Sequence, residues 1–294
     1  MGVVGVGRMG LPIVSHLVGA GVPVVAGDRD AACAAAVRAR GGTWSRRLDD
    51  LAAGVEVLIT VLPGPQECRQ VMLDQGVLDA MRSGATWIDM TSNDPVVVAP
   101  VRARAGECGV HVIEAPMGGG PAEARAGTLQ LFIGGSVEDE ERHRRLLEAV
   151  ADPDQIIHMG GPDAGYITKL LVNLLWFGQA VATTEALLLA DRVGLDLRTL
   201  LAALDRSAAH TRYLDTGARA HLDGDLMTSF GLERICAELA AVTALAGVHD
   251  VPFEMSRLVR SVHERALGRY GQAYGELLGC RYLEDLAATR LDER

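Results

Sequence analysis

The sequence predicts an α/β protein with a doubly wound, largely parallel sheet in its first half and an all-α second half. Short β-branched runs alternate with Ala-rich amphipathic stretches through the first half, a pattern typical of βαβ units. A glycine-rich loop follows the first of these runs. A long helical pattern without proline begins at Ala164, and strand signals disappear after it.

Segments of the first half that fit strands alternate with segments that fit helices. The strands are predicted over residues 2–6, 23–27, 56–62, 86–90, 110–114, 129–134 and 155–159. The helices are predicted over 10–23, 31–40, 65–82, 95–107 and 137–150. Because most strands return through a helix, neighbouring strands should run parallel, with helices on both faces of the sheet.

The pattern changes after Gly160-Gly161-Pro162. A long helix is expected over 164–191 with Gly194 as its stop, followed by helices near 196–205, 211–222, 230–247, 253–269 and 275–290. A chain of 294 residues has room for about two domains. We therefore predict domains at residues 1–162 and 163–294, joined by the long helix.

The composition narrows the class of partner. The formal net charge is 28 − 38 = −10, which argues against nucleic acid or a membrane as the main partner and allows a local pocket for a small anion. Five widely spaced cysteines without a C-x-x-C pair predict reduced thiols and no metal site. Polar residues interrupt the apolar stretch 170–190, so a buried helix is expected there. The protein should be cytoplasmic.

The glycine-rich loop is Gly5-Val6-Gly7-Arg8-Met9-Gly10, a G-x-G-x-x-G sequence between a predicted strand and a predicted helix. The first glycine permits the tight turn, the second lets backbone amides approach a pyrophosphate, and the third lets the helix pack against the strand. Asp28 lies 18 residues after Gly10, where a carboxylate can accept hydrogen bonds from a ribose hydroxyl. These features predict a Rossmann-type, dinucleotide-binding domain.

Two adjacent residues bear on the choice of dinucleotide. Asp28 would repel a 2′-phosphate and favours NAD, whereas Arg29 could pair with that phosphate in NADP. Arg29 could equally stack on adenine or stay solvated. NAD is favoured, and NADP stays open.

One lysine, Lys169, stands among 28 − 1 = 27 arginines. A guanidinium stays protonated, whereas burial can tune an ammonium to exchange a proton. The apolar neighbours Ile167, Leu170 and Leu171 predict a partly buried setting. Asn173 follows at i+4, on the same helix face. Lys169 is therefore a candidate proton donor, and a solvated helix face is the alternative.

Two polar segments follow predicted strands. In the first, Gly118-Gly119-Gly120 can point several N–H groups into one concavity that suits a carboxylate, or can serve only as a flexible connection. In the second, Thr91 and Ser92 should face the ligand crevice, while Asn93 or Asp94 could only cap the next helix.

These motifs resemble those of the β-hydroxyacid dehydrogenase family, which includes 3-hydroxyisobutyrate dehydrogenases and tartronate semialdehyde reductases. The resemblance covers nearly the whole chain. It rests on GVGRMG at 5–10, VLP at 61–63, DMTSNDP at 89–95, EAPMGGG at 114–120, AGTLQLFIGG at 126–135, and GYITKLLVN at 165–173, which is similar to the family's G-x-x-x-K-x-x-x-N segment.

The resemblance implies reversible hydride transfer between a nicotinamide cofactor and the 3-hydroxyl of a small anionic hydroxy acid, in a homodimer or homotetramer. Lys169 would be the general acid and base. The residues expected to bind substrate are Gly118, Gly119, Gly120, Asn173 and Thr91. The residues expected to bind cofactor are Gly5, Gly7, Arg8, Met9, Gly10, Asp28, Arg29, Leu62, Pro63 and Ser92.

The chain departs from the family pattern at substrate contacts. Gly118 replaces the serine of S-G-G, Leu174 replaces a polar residue, and Ala237 replaces the lysine of K-D-L. We hypothesise a different substrate, larger or carrying another anion, with Arg234 or the segment 206–213 supplying a cation. The alternatives are a reductase of an aldehyde or imine without a β-carboxylate, and a non-catalytic cofactor-binding protein.

Overall fold

The computed structural model describes residues 1–293 and divides the chain into two compact units, Met1–Lys169 and Leu170–Arg294. The first unit contains a nine-stranded, mainly parallel sheet with helices on both faces, and the second is largely helical. The predicted fold class is confirmed.

The strands of the first unit form one sheet. They are β1 (Gly2–Val4), β2 (Val25–Gly27), β3 (Thr43–Trp44), β4 (Val57–Thr60), β5 (Thr86–Asp89), β6 (His111–Glu114), β7 (Met117–Gly118), β8 (Leu129–Gly135) and β9 (Ala151–Gly160). Their order is β3-β2-β1-β4-β5-β6-β8-β7, with β9 beside β8. β1 to β6 pair in parallel, in the 3-2-1-4-5-6 order of dinucleotide-binding folds, whereas β8 is antiparallel to β6 and β7.

The helices of the first unit follow the predicted pattern with one interruption. They are α1 (Gly10–Gly19), α2 (Cys33–Arg38), α3 (Leu48–Ala53), α4 (Pro65–Arg69), α5 (Val77–Ala80), α6 (Pro95–Glu107), α7 (Pro121–Ala126) and α8 (Val137–Glu148). The helix predicted over 65–82 is divided, because a π-helical stretch at Gln70–Asp74 leads into Gly76, whose φ of +68° ends the helix. β3, β7 and α3 had no predicted counterpart, since elements this short show no period.

Two apolar cores cover the two faces of this sheet. Successive strand residues alternate between them, as the two-residue period requires. Val3, Ile59 and Ile88 lie in one core, and Val4, Leu58 and Trp87 lie in the other. The carboxyl ends of β1, β4, β5 and β6 are thereby held at one edge, where a doubly wound sheet binds its ligands.

A long helix, α9 (Ala164–Arg192), begins in the first unit and continues into the second. It is followed by α10 (Leu197–Leu204), α11 (Arg219–Leu222), α12 (Leu232–Val248), α13 (Glu254–Tyr270) and α14 (Leu278–Ala287). A π-helical stretch at Leu214–Ala218 replaces part of the helix predicted over 211–222. Leu170, Leu174 and Phe177 place one face of α9 in the core of the second unit.

Within residues 1–293, α9 is the one helix long and apolar enough to cross a membrane by length and composition. Its most apolar window is 39% buried in this fold, and a core helix of a soluble protein meets the same criterion. The opposite face of α9 exposes Leu175 and Leu189.

A buried acid–base pair joins α11 to α14. His221 and Glu284 have no exposed side-chain surface, and His221 Nε2 lies 3.0 Å from Glu284 Oε1. The Leu291 N–H donates to the same oxygen at 2.9 Å, and Arg281 Nη1 lies 3.0 Å from Glu284 Oε2. The carboxylate thus holds the last helical turn, Leu291–Glu293, against the unit.

Glu284→Ala should destabilise the second unit by roughly 3–5 kcal/mol, because it leaves the buried His221 ring and the Leu291 N–H without their acceptor and removes one of the two carboxylates paired with Arg281. Urea denaturation followed by circular dichroism measures the change. Arg257→Ala, on the exposed face of α13, is the control and should stay within about 0.5 kcal/mol of wild type. An equally small loss for Glu284→Ala would contradict the expectation.

Candidate active site

The loop between β1 and α1 has the conformation that a close backbone approach requires. Gly5 has φ +90°, and a Cβ there would lie 2.2 Å from a backbone carbonyl oxygen of the β4–α4 connection. A Cβ on Gly10 would lie 1.9 Å from the Gly5 carbonyl oxygen, so both positions require glycine. Gly7 and Arg8 are exposed and Met9 is half-buried, and no atom lies within 4 Å of a Cβ built on Gly7. The loop is open on its outer side.

Asp28 follows β2 and is oriented by backbone donors. Its Oδ2 accepts from the Val6 N–H at 2.8 Å, and its Oδ1 accepts from the Asp30 N–H at 3.0 Å. Each carboxylate oxygen can accept two hydrogen bonds, so Asp28 keeps capacity for a ligand hydroxyl. Arg29 is exposed next to it. The geometry therefore brings the loop and Asp28 together, as the sequence predicts.

A fully buried carboxylate, Asp89, ends β5 at the same edge of the sheet. Thr60 Oγ1 and the Tyr166 hydroxyl each donate to it at 2.7 Å. The Thr91 N–H and the Asn93 amide also donate to it. Burial raises the pKa of Asp89, and the hydrogen bonds from Thr91, Tyr166 and Thr60 oppose that rise. One carboxylate thus joins β4, β5, the segment after β5 and the start of α9.

Thr91, whose N–H donates to Asp89, also contacts the connection after β4. Its side chain is buried, and its Oγ1 accepts from the Leu62 N–H at 3.1 Å. Leu62 is half-buried and Pro63 is exposed beside it. Ser92 is half-buried. Thr91 therefore links two predicted ligand-binding segments through its hydroxyl.

Glu114, buried at the end of β6, holds the amino terminus of α9. Its carboxylate accepts from the Asp163 N–H at 2.7 Å and from the Gly165 N–H at 3.2 Å. Arg102 of α6 pairs with both Glu114 and Asp163, and Asp163 has φ +73°. A Cβ on Gly134 would lie 2.3 Å from Glu114 Oε2, so glycine makes room for this carboxylate. Burial raises the pKa of Glu114 to about 7.

Lys169 therefore stands on a helix whose first turn has two anchors. Tyr166, fully enclosed, donates to Asp89, and Gly165 donates to Glu114. Lys169 follows Tyr166 by three residues on the next turn and is half-buried. The lysine side chain thus starts from a rigid backbone, which a proton donor requires.

The loop Gly118–Gly120 is partly filled by side chains of its own unit. Gly119 has φ +94°, and the Gly120 N–H donates to Glu123 Oε2 at 2.8 Å. Gln130 pairs with Gly118 across β7 and β8, and its Nε2 donates to Gln155 Oε1 at 3.0 Å.

The remaining candidates belong to the second unit. Asn173 Nδ2 donates to Glu238 Oε2 at 2.5 Å, so Asn173 is oriented by the residue after Ala237. The Arg234 guanidinium lies 5.9 Å from the centre of the Phe230 ring. The segment 206–213 is mostly exposed, and its His210 forms an ion pair with Asp215.

Four residues of this site, Asp89, Glu114, Tyr166 and Glu123, are not among the site residues predicted from the sequence. The available signal was an acidic residue closing an otherwise apolar strand, as in TWID and HVIE. An acid at such a position is buried and needs donors from other elements.

Two family models match the chain. The model described as the NAD binding domain of 6-phosphogluconate dehydrogenase matches residues 1–161. The model described as NAD-binding of NADP-dependent 3-hydroxyisobutyrate dehydrogenase matches residues 163–277. Together they cover both units.

Individual relatives agree with these models. 2-(Hydroxymethyl)glutarate dehydrogenase of Eubacterium barkeri is 29% identical over 91% of this chain and 90% of its own length. NAD-dependent L-serine dehydrogenase of Pseudomonas aeruginosa is 31% identical over 70% of this chain and 68% of its own. A structure of Mycobacterium tuberculosis 3-hydroxyisobutyrate dehydrogenase with L-serine superposes with a TM-score of 0.86 at 24% identity, covering 96% of this chain and 98% of that one, which shows a shared fold.

The Glu114 carboxyl should make stability fall as pH rises. Its folded pKa of about 7 exceeds the ordinary value of 4.5, so between these values the folded state binds more protons than the unfolded state. Its contribution is therefore present below pH 4.5 and lost by pH 7, a change of up to about 3 kcal/mol. Urea denaturation across this range measures the slope.

Glu114→Gln is the matched variant, because it cannot titrate. The unfolding free energy of wild type minus that of Glu114→Gln should fall as pH rises. A difference that is independent of pH would contradict the raised pKa.

Proposed function

This chain belongs to the β-hydroxyacid dehydrogenase family, and we propose that it transfers hydride between NAD(P) and a small 3-hydroxy acid or the matching semialdehyde, with Lys169 as general acid and base. It is an NAD(P)-dependent oxidoreductase that acts on a CH–OH group. The observation that carries the proposal is that two buried carboxylates hold the start of the helix that bears Lys169. Glu114 accepts from the Gly165 N–H, and Asp89 accepts from the Tyr166 hydroxyl.

The residues present fit a dinucleotide. The exposed backbone of Gly7 and Arg8 at the amino end of α1 would donate to the pyrophosphate, where the helix dipole favours negative charge. Asp28, already oriented by Val6 and Asp30, would accept from a ribose hydroxyl, which favours NAD over NADP. Gly5 and Gly10 would permit the turn. Met9, Arg29, Leu62, Pro63 and Ser92 would line the cofactor.

The nicotinamide, when bound, supplies or accepts the hydride. In reduction, the Lys169 ammonium would donate a proton to the substrate carbonyl oxygen. In oxidation, the neutral amine would take the hydroxyl proton. Asn173 lies one turn further along α9. The bond from its Nδ2 to Glu238 orients the amide, whose oxygen would accept from a hydroxyl or an ammonium. We assign Asn173 to substrate orientation and Thr91 to support of the Leu62 segment.

The substrate class follows from the relatives. Proteins named for 2-(hydroxymethyl)glutarate and L-serine act on small hydroxy acids, which supports a small anionic substrate for this chain. Exposed apolar residues on α9, Leu175 and Leu189 among them, support a homodimer or homotetramer. We place the enzyme in the cytoplasm, in keeping with its free thiols.

Lys169→Ala should lower kcat about 10²–10⁴-fold, because the reaction loses its proton donor. Cofactor affinity should stay within about twofold, since other residues hold the dinucleotide. Absorbance of the reduced nicotinamide, followed across a panel of hydroxy acids and semialdehydes, measures turnover. Lys169→Arg keeps the charge without exchanging a proton and should be equally inactive. Activity of Lys169→Arg near wild type would refute the assignment.

Asp28→Asn should move cofactor preference towards NADP. The ratio of kcat/KM for NAD to that for NADP should fall about tenfold or more, because the amide accepts a ribose hydroxyl less strongly and no longer repels a 2′-phosphate. Arg29→Ala is the companion variant and should weaken any use of NADP. An unchanged ratio in Asp28→Asn would show that Asp28 does not read the ribose.

A further inference from the structure

The side chain of Glu123 reaches back to the loop expected to bind the substrate carboxylate, as the acid of a capping box at the start of α7. Its Oε2 accepts from the Gly120 N–H at 2.8 Å. A Cβ on Gly119 would lie 3.0 Å from the Glu123 Cβ and 3.1 Å from its Cγ, so the glutamate also covers the neighbouring residue. The Gly120 N–H therefore already serves a carboxylate of the protein.

Gln130 fills the space beside Gly118. The two residues are directly paired in the antiparallel β7–β8 ladder, so their side-chain directions share one face. A Cβ on Gly118 would lie 2.9 Å from Gln130 Oε1 and 3.1 Å from Gln130 Cβ. Because Gln130 Nε2 donates to Gln155, the amide oxygen is the atom turned towards Gly118. An acceptor thus stands where the related proteins are expected to have a serine hydroxyl.

Both side chains change the chemistry of this loop in the same direction. A substrate carboxylate here would have to displace the Glu123 carboxylate from the Gly120 N–H or lie against it, and two like charges repel. It would also meet the Gln130 oxygen, which offers no hydrogen. A neutral group that carries N–H or O–H bonds avoids the repulsion and can donate to both acceptors.

We propose that Glu123 and Gln130 determine specificity at the Gly118–Gly120 loop, disfavouring a substrate carboxylate there and favouring a neutral, hydrogen-bond-donating group such as a carboxamide or a hydroxyl. The proposal rests on the proposed hydride transfer and refines the substrate: the group that faces this loop is neutral, so an anionic group of the substrate lies elsewhere on that molecule. It makes the Glu123 carboxylate, together with the oriented Gln130 amide, the reason that this chain can do without the family's serine.

The test compares 3-hydroxyisobutyrate with 3-hydroxyisobutyramide, which differ only in carboxylate against carboxamide. The measured quantity is the ratio of kcat/KM for the amide to kcat/KM for the acid, and this ratio should exceed one in wild type. In Glu123→Ala the ratio should fall by about tenfold or more, mainly through KM, because Glu123 does not take part in proton transfer. Calorimetric Kd values for the two compounds, measured with the reduced cofactor so that neither hydroxy compound can be oxidised, give the same ratio without turnover. The ratio for Glu123→Gln should lie between those of wild type and Glu123→Ala, since glutamine keeps a hydrogen-bond acceptor and removes the charge.

Two further variants guard against a purely structural effect. Glu138→Ala removes an exposed acid from the first turn of α8 and should leave the ratio unchanged. Gly118→Ser combined with Gln130→Ala installs the hydroxyl and removes the side chain it would meet, so it should also move the ratio towards the acid. Thermal unfolding of each variant confirms that it is folded.

The proposal is overturned if wild type prefers the acid. It is also overturned if the amide-to-acid ratio of kcat/KM in Glu123→Ala stays within about twofold of the wild-type ratio. Failure of both compounds to bind also overturns it. Binding with the expected preference but without turnover supports the specificity assignment and counts against the proposed reaction, so the two conclusions fail separately.

Discussion

The hydrogen-bonded carboxylate of Asp89 is the interaction on which the arrangement of the first unit's ligand edge depends. It lies at the end of β5, without exposed surface, and takes hydrogen bonds from β4, from the segment that follows β5 and from Tyr166 at the start of α9. A buried carboxylate is tolerated only when such donors are complete. Because burial of this carboxylate without donors would be costly, it enforces one arrangement of three parts of the chain that are far apart in sequence: β4, β5 with the segment after it, and the start of α9.

Glu114 acts on the same helix from the neighbouring strand. The first N–H groups of any helix lack partners within the helix, and the Glu114 carboxylate accepts from that of Gly165 in α9 and from that of Asp163, just before α9. A negative group at this end also suits the helix dipole, whereas burial opposes its ionisation and raises its pKa to about 7. Arg102 offsets part of that opposition. Two acids thus direct the turn that carries the lone lysine.

The phosphate loop and the lysine could be predicted because their chemistry is local. Gly10 is required by a clash with the Gly5 carbonyl and Gly5 by a clash with the connection after the adjacent strand β4, and Lys169 stands out by composition. The role of Glu123 could not be predicted in this way. Three glycines in a row suggest an empty concavity, but whether a nearby side chain turns back into it depends on the conformation of Gly119 and the position of α7.

Gly118, which stands where the family pattern has serine, is a second position whose surroundings could not be predicted from the sequence. In sequence it is a lost donor, for which an arginine such as Arg234 could compensate. In the folded unit the position is opposite Gln130, whose side chain takes the space. Register between β7 and β8 decides this pairing, and register is not visible in a two-residue strand.

By itself, then, the sequence determined the order of the longer strands and helices, the glycine turn and the candidate for the proton donor, since periodicity, steric demand and side-chain chemistry operate over short stretches of chain. Tertiary structure alone decided which buried acids hold the start of the helix that bears Lys169 and which side chains enter the glycine loop. Those outcomes depend on contacts between residues distant in sequence, where burial and hydrogen bonding, rather than local preference, set the free energy.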